Sequence, residues 1–426
     1  MTAAGRGLKT AGGPETTPGA RSGLPGPDWR VAGPALVLLF GGVLYLSRAF
    51  DGHQATLFLL GGALGLVLYH AAFGFASSWR VFLTEGRGAG LRAQMLMLAL
   101  ASAIFLPALS QGTLFGQPVG GALAPVGISV LFGALLFGVG MQLGGGCASG
   151  TLYTVGGGST NMVVTLAFFV AGSLLGSAHL PWWLNQPSFG TVSLLGEFGL
   201  AGALGLQLAA LSAIVLMSVA IERKRHGQAA LGFTLPVLAG AVRPSLGRRL
   251  VSGPWPLLWG AVLLAVLNGA TLYLAGHPWN VSFGYTLWGA KAAAALGVDV
   301  GSWEFWTWRY PRRALEGSLF AETTSLMNFG ILAGAFLAAG LAGRFAPRAR
   351  VGLRIAAGAA LGGLLMGYGA RLAFGCNIGA LFSGIASGSV HGWLWFAAAM
   401  IGTYIGIAFR PVFALSVRPS AARRAK

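Results

Sequence analysis

The sequence is poor in charged residues and almost free of cysteine. Only 9% of its 426 residues are charged, whereas 55% are hydrophobic and 70 are glycine. Soluble domains carry about 25% charged residues, so this composition excludes a protein that disperses in water. Several apolar runs reach the roughly 17–25 residues that cross a bilayer, and they are continuous, unlike the alternating strands of a membrane β-barrel. The chain is therefore predicted to be an all-α polytopic membrane protein.

Further absences narrow the function. Two cysteines cannot form a disulfide scaffold, and the sequence has no CxxC motif or His/Cys cluster for a metal. It also has no nucleotide-binding motif, which argues against direct coupling to ATP. The net charge of +18 is concentrated at the ends of apolar runs and forms no binding face for nucleic acid. We expect no metal, no cofactor and no nucleic-acid partner.

The apolar runs predict about ten spanning helices within a single transport domain, 31–412. Residues 1–30 are predicted to be a disordered cytoplasmic tail and 413–426 a basic cytoplasmic tail. Four further pieces are too apolar for loops and too interrupted to span, and irregular backbone at membrane depth lines a cavity or is buried in protein. The predicted spans are 31–47, 55–73, 93–110, 121–142, 160–178, 198–221, 254–275, 317–342, 353–369 and 391–409, and the interrupted segments are 74–90, 143–158, 280–300 and 370–389.

The distribution of basic residues predicts the orientation. With both termini in the cytoplasm, the cytoplasmic regions contain 22 of the 28 lysines and arginines. The opposite orientation would export these charges. We therefore expect a multi-pass protein of the bacterial inner (plasma) membrane, with the lipid bilayer as its solvent.

One motif occurs twice, which indicates a duplication. The pattern Gly-Cys-x-x-Gly-x-Leu followed by Tyr or Phe begins at Gly146 and again at Gly375. A Phe-Gly pair with a tryptophan and a basic residue precedes each copy. In a ten-span arrangement the two copies enter from opposite faces, as in transporters built from inverted repeats. The predicted repeats are roughly 50–180 and 254–410.

The candidate substrate-binding residues lie in these interrupted segments. Two hairpins that lead into half-helices would direct backbone amides and positive dipole ends at an anion, with a thiol beside it. Basic residues at membrane depth add a positive field, and Arg80 is a further residue of this kind. The alternatives are packing cysteines and snorkelling cations. The candidates are Cys147, Cys376, Gly146, Gly375, Asn377, Arg371, Lys291 and Ser149.

The segment Gly369–Ser389, with His391-Gly-Trp-Leu-Trp after it, resembles the YeeE/YedE family of bacterial sulfur-transport proteins. Met141–Leu152 and His277–Lys291 are similar to that family as well. The resemblance implies an inverted-repeat membrane protein whose cysteines pass the substrate along by S–H contacts. It implies this role for Cys147 and Cys376. The shorter hairpins here contain Phe73-Gly-Phe75 and Phe283-Gly-Tyr285, where thiosulfate carriers of the family have further cysteines.

These observations predict uptake of a small sulfur-containing anion, with thiosulfate as the leading candidate. The thiols are expected to act in the protonated form, because a thiolate would repel a dianion, so uptake should weaken at alkaline pH and after alkylation. One alternative is transport of selenium compounds or another small anion. Another is a membrane thiol oxidoreductase or sulfurtransferase, although we expect no enzyme. The energy source, and the need for a small cytoplasmic sulfur-carrier protein, stay open.

Overall fold

The computed structural model describes residues 26–229, 245–347 and 351–417. The predicted tails therefore lie largely outside the described residues. The helices are α1 (Trp29–Ala49), α2 (Gly52–His70), α3 (Phe75–Glu85), α4 (Ala89–Gln111), α5 (Ile128–Gly144), α6 (Ala148–Gly156), α7 (Thr160–Leu184), α8 (Leu194–His226), α9 (Leu246–Ser252), α10 (Leu257–Ala275), α11 (Ser282–Ala295), α12 (Glu304–Thr307), α13 (Arg309–Glu316), α14 (Thr323–Leu341), α15 (Leu353–Leu372), α16 (Gly384–Ala386) and α17 (Val390–Phe409).

Ten of the described helices are long and apolar enough to cross a membrane, which confirms the predicted fold class. They are α1, α2, α4, α5, α7, α8, α10, α14, α15 and α17. Each interrupted segment contains a short helix: α3, α6, α11, and a π-helix over Asn377–Ser383 that continues into α16. Short 3₁₀ turns cover Val300–Ser302 and Arg410–Phe413.

The predicted span 121–142 begins too early. Residues 121–124 are irregular, and β3 (Pro125–Gly127) pairs antiparallel with β4 (Ser188–Thr191) before α5 begins. Pro125 lacks the N–H that a helix interior requires, so the chain stays extended until Ile128. A second small ribbon joins β1 (Thr113–Leu114) to β2 (Gln117–Pro118) after α4.

The contacts between helices occur in matched pairs across the two halves of the chain. If α2, α4, α5 and α7 correspond to α10, α14, α15 and α17, the contact of α2 with α14 mirrors that of α4 with α10. The contact of α7 with α15 likewise mirrors that of α5 with α17, and α1 on α14 mirrors α8 on α4. This pattern is the one expected of an inverted repeat, with α1 and α8 each leading one half.

Helices α5 and α15 form the centre of the molecule and run antiparallel. A Cβ on Gly133 would lie 2.7 Å from the carbonyl oxygen of Gly369, and a Cβ on Gly140 would lie 2.7 Å from that of Gly362. Larger side chains would push these backbones apart, so the small residues permit the close approach that drives association of helices in membranes. Because each of the two helices leads into a cysteine, their contact sets the relative position of the two motifs.

Candidate functional site

The first cysteine begins a short helix. After α5 the chain turns through Gly145 in the left-handed region (φ 84°), and Cys147 becomes the N-cap of α6. Its Sγ accepts a hydrogen bond from the N–H of Gly150 at 3.4 Å and lies 3.5 Å from Ser149 Oγ. Sulfur is a weak acceptor, so it satisfies the helix terminus less well than the oxygen of serine or aspartate. The N–H groups of α6 are therefore available to a stronger acceptor.

The second cysteine has the same position in its own segment. Cys376 follows α15 as the N-cap of the π-helix, and its Sγ accepts from the N–H of Ile378 at 3.4 Å. The turn before it includes Phe374 at φ 57° and Gly375 at φ 158°. A Cβ on Gly375 would lie 2.5 Å from the backbone nitrogen of Ala380, so this position requires glycine. The repeated sequence motif thus produces a repeated thiol-capped helix terminus.

The two hairpins meet in the interior of the protein. Helix α6 contacts the π-helix. The hydroxyl of Tyr285 of α11 donates to the carbonyl oxygen of Ala148, the residue after Cys147, at 2.9 Å. Both cysteines are free and at most 1% exposed. We call this buried region, which contains two sulfhydryl groups and one phenol, the chamber.

Two polar groups near the second hairpin lack hydrogen-bond partners among the described residues. Both amide atoms of Asn377 are buried and unpaired, and so is the indole nitrogen of Trp279. Buried polar groups normally have partners, so unpaired donors indicate a place for a polar ligand. Trp279 also lines a cavity of about 180 Å³ beside this hairpin, together with Ala122, Leu123, Ala124, Pro278, Asn280, Phe374, Gly379, Ser383 and His391.

The comparison with known proteins follows this geometry. The sulphur transport family matches residues 70–405, which include both cysteine hairpins and more than half of the chain. The chain belongs to the sulphur transport family. Thiosulfate transporter TsuA of Spirochaeta thermophila (strain ATCC 700085 / DSM 6578 / Z-1203) is 28% identical over 354 residues, which cover 79% of this chain and 92% of that protein. TsuA of Escherichia coli (strain K12) is 25% identical over 356 residues, 81% of this chain and 91% of that protein.

A second group of relatives matches over a shorter range. The probable transporter YedE of Escherichia coli (strain K12) is 31% identical over 169 residues, which are 38% of this chain. The match spans 40% of that relative's length. The predicted resemblance to the YeeE/YedE family is confirmed by both groups of relatives and by the family match.

Within this member of the sulphur transport family, the predicted residues fall into two sets. Cys147, Cys376 and the residues of their motifs lie together. Gly146 is half-buried, and Ser149 is fully buried against Cys147. Asn377 is buried in the second hairpin. The two basic residues point elsewhere.

Lys291, predicted as a substrate-binding residue, has its ammonium bonded to a loop outside the two cysteine hairpins. Its ammonium donates to the carbonyl oxygens of Leu315 at 2.8 Å and Gly317 at 2.7 Å. These carbonyls end helix α13, whose negative dipole end attracts a cation. Lys291 therefore fixes the loop after α13 and leaves the thiols without its charge.

Arg371 lies at the end of α15, with its guanidinium carbon 5.0 Å from the centroid of the Phe305 ring. Its Nε is buried without a hydrogen-bond partner among the described residues, and no carboxylate there lies within ion-pair distance. A guanidinium over an aromatic face is partly stabilised by a cation–π contact. Arg371 thus supplies a positive field close to the second hairpin without contacting its thiol.

Sequence reasoning missed Tyr285 and Trp279 as site residues. Both belong to His277–Lys291, which supported the family resemblance, but aromatic residues in an apolar chain carry no signal of their own. Tyr285 aligns with Phe75 in the two Phe-Gly pairs, and only Tyr285 has a hydroxyl. That difference between two otherwise similar segments was the available signal.

Proposed function

We propose that this protein takes up a small sulfur-containing inorganic anion, thiosulfate first, by contacts with the thiols of Cys147 and Cys376. The observation that carries the proposal is the meeting of two free, buried thiols at the termini of two short helices. Membership of the sulphur transport family supports transport, and the similarity to TsuA, which covers most of this chain, supports thiosulfate. Transport is therefore favoured over the oxidoreductase and sulfurtransferase alternatives.

Thiosulfate has two chemically different ends, and the chamber offers partners for both. Its oxygens accept hydrogen bonds from N–H donors, which Asn377 and Trp279 supply without competition from other protein groups. Its terminal sulfur is soft and accepts from S–H, so neutral thiols bind it while thiolates would repel it. Because the short helix that Cys147 caps contacts the π-helix that Cys376 caps, the anion can pass from Cys376 to Cys147 without a covalent step.

The direction of passage rests on the proposed orientation. With both termini in the cytoplasm, the cavity beside Cys376 faces outward and Cys147 lies on the cytoplasmic side. The membrane would be the plasma membrane of a bacterium, residues 31–412 one transport domain, and the repeats roughly 50–180 and 254–410. A small sulfur-carrier protein on the cytoplasmic side would receive the anion after Cys147. Since both thiols are closed off from solvent, the hairpins must move during transport.

The test is uptake of radiolabelled thiosulfate in a bacterial strain that lacks its own thiosulfate transporters. We expect Cys147→Ser and Cys376→Ser each to reduce uptake at least tenfold, because an alcohol is a poorer partner for sulfur and changes the geometry of the cap. Growth on cysteine and the amount of protein in the membrane serve as controls. Parental uptake by both variants would refute the proposal. Competition with selenite, sulfite and sulfate decides the substrate class, and selenite as the strongest competitor would favour the selenium alternative.

A further inference from the structure

A cluster of two arginines lies on the side of the first hairpin, away from the cavity beside Cys376. Arg80 of α3 donates from Nη1 to Oε1 of Gln142 at 3.4 Å, and Arg410 donates from Nη1 to the main-chain oxygen of the same residue. Gln142 is fully buried near the end of α5, five residues before Cys147, and its own amide donates to Ala76 O at 3.0 Å. Two guanidinium groups from separate elements thus bond the same residue, Arg80 at its side chain and Arg410 at its main chain.

These two positive charges are not neutralised within the described part of the chain. Both guanidinium groups donate to oxygens of Gln142, and neither forms an ion pair there. The carboxylate of Glu85 lies beyond ion-pair distance from the guanidinium of Arg80. Glu85 forms an ion pair with Arg87 instead. Adjacent like charges are destabilising unless an anion joins them.

Structural roles account for only part of the arrangement. Arg410 stabilises the C-terminal end of α5 through the Gln142 carbonyl, and its Nε donates to Ser416 O at 2.8 Å. Arg80 has no comparable role, because its one recorded side-chain hydrogen bond is long and its Nε is buried without a partner. A second guanidinium with an unused donor is what a tetrahedral oxyanion would engage.

We propose that Arg80, Arg410 and Gln142 form a second anion site, separate from the thiols, for a small inorganic oxyanion such as sulfate or thiosulfate. Its place follows from the chain: Cys147 is five residues beyond Gln142, so an anion released from Cys147 on the cytoplasmic side meets the arginines next. This role in release rests on the proposed function, whereas the binding itself does not. The site would hold the anion after it leaves Cys147 and before its release to the cytoplasm.

The experiment measures sulfate binding by calorimetry on the purified full-length protein in detergent. Sulfate has no soft sulfur for a thiol to contact, so the Cys147→Ser/Cys376→Ser protein should retain the Arg80-dependent equivalent. We expect Arg80→Gln to weaken one equivalent of bound sulfate at least tenfold. Gln142→Glu should abolish that equivalent, because the new carboxylate pairs with Arg80 in place of the anion. Thermal unfolding is measured beside it, since the substitution also removes the amide that donates to Ala76 O.

The matched control is Arg223→Gln/Lys224→Gln, which removes two exposed charges near the end of α8 and should change the dissociation constant less than twofold. Parental binding by both Arg80→Gln and Gln142→Glu would overturn the inference. Equal weakening in the control would also overturn it, since net charge would then explain the effect. Loss of all sulfate binding with the two serines would place the only site at the thiols. Arg80-dependent binding without thiosulfate uptake would refute the proposed function alone.

Discussion

Tyr285→Phe tests whether the hydroxyl that bonds the residue after Cys147 organises the first hairpin. The ring packs edge-on against Phe169 with centroids 4.8 Å apart, and phenylalanine preserves that contact. The substitution removes the hydrogen bond to Ala148 O, which follows Cys147 directly. A buried hydrogen bond of this kind contributes about 1 kcal/mol to stability. In a chain of this size the melting temperature should therefore fall by roughly 2 °C.

The rate of thiosulfate uptake should respond to this substitution more strongly than the melting temperature does. If the bond stabilises a binding geometry that only a minority of molecules adopt, losing about 1 kcal/mol reduces the population of that geometry about fivefold. We expect uptake of thiosulfate to fall by about this factor, with protein levels unchanged. Tyr310→Phe is the matched control, because it removes a hydroxyl that donates to Glu322 at 3.0 Å, outside the chamber. Uptake within twofold of the parental rate, or an equal loss in Tyr310→Phe, would contradict the assigned role of Tyr285.

Two further predictions concern the scaffold. Gly362→Ala should lower the free energy of unfolding by about 2 kcal/mol, because the added Cβ would clash with the backbone nitrogen of Gly144 and force α5 and α15 apart. Thermal unfolding in detergent measures this change. The control is Gly352→Ala, where the added Cβ meets nothing within 4 Å. Glu222→Gln should cost about 3 kcal/mol, since it breaks the buried 2.7 Å ion pair with Arg92 that joins α8 to α4. A variant as stable as the parent would show that this ion pair contributes little.

The composition, the length of the apolar runs, and the glycine and polar residues that interrupt them were enough to predict the membrane class and the interrupted segments. Each segment contains a short helix because glycine and polar residues stop a spanning helix where the chain must turn back. The start of the predicted span 121–142, which contains α5, was wrong, because the apolar stretch around Val126 suits a strand as well as a helix. Pairing with Ser188–Thr191 decides between them, and such pairing depends on residues more than 60 positions away. Local pattern carries no information on it.

The site was predictable only where the chemistry was local. The thiols were found because the Gly-Cys-x-x-Gly motif places a turn, a sulfur and a helix start within five residues. Arg371 was found for the same reason, since it lies five residues before Cys376. Lys291 also lies in an interrupted segment, which predicted a place in the site, yet its ammonium donates to the carbonyl oxygens of Leu315 and Gly317. Those partners come from a loop whose course no local motif indicates.

Aligning the two hairpins exposes a difference between the halves. The residue five positions before the cysteine is Arg371 in the second half and Gln142 in the first. Where α15 carries its own guanidinium, α5 carries an amide. Arg80 of α3 donates to the side-chain oxygen of that amide, and Arg410, from the turn after α17, donates to the main-chain oxygen of the same residue. The duplicated geometry of the thiols is thus combined with charge of unequal strength, one cation on one side and two on the other. An anion therefore meets a stronger positive field at the first hairpin than at the second, which affects how tightly each side binds it and leaves the direction of net movement to its electrochemical gradient.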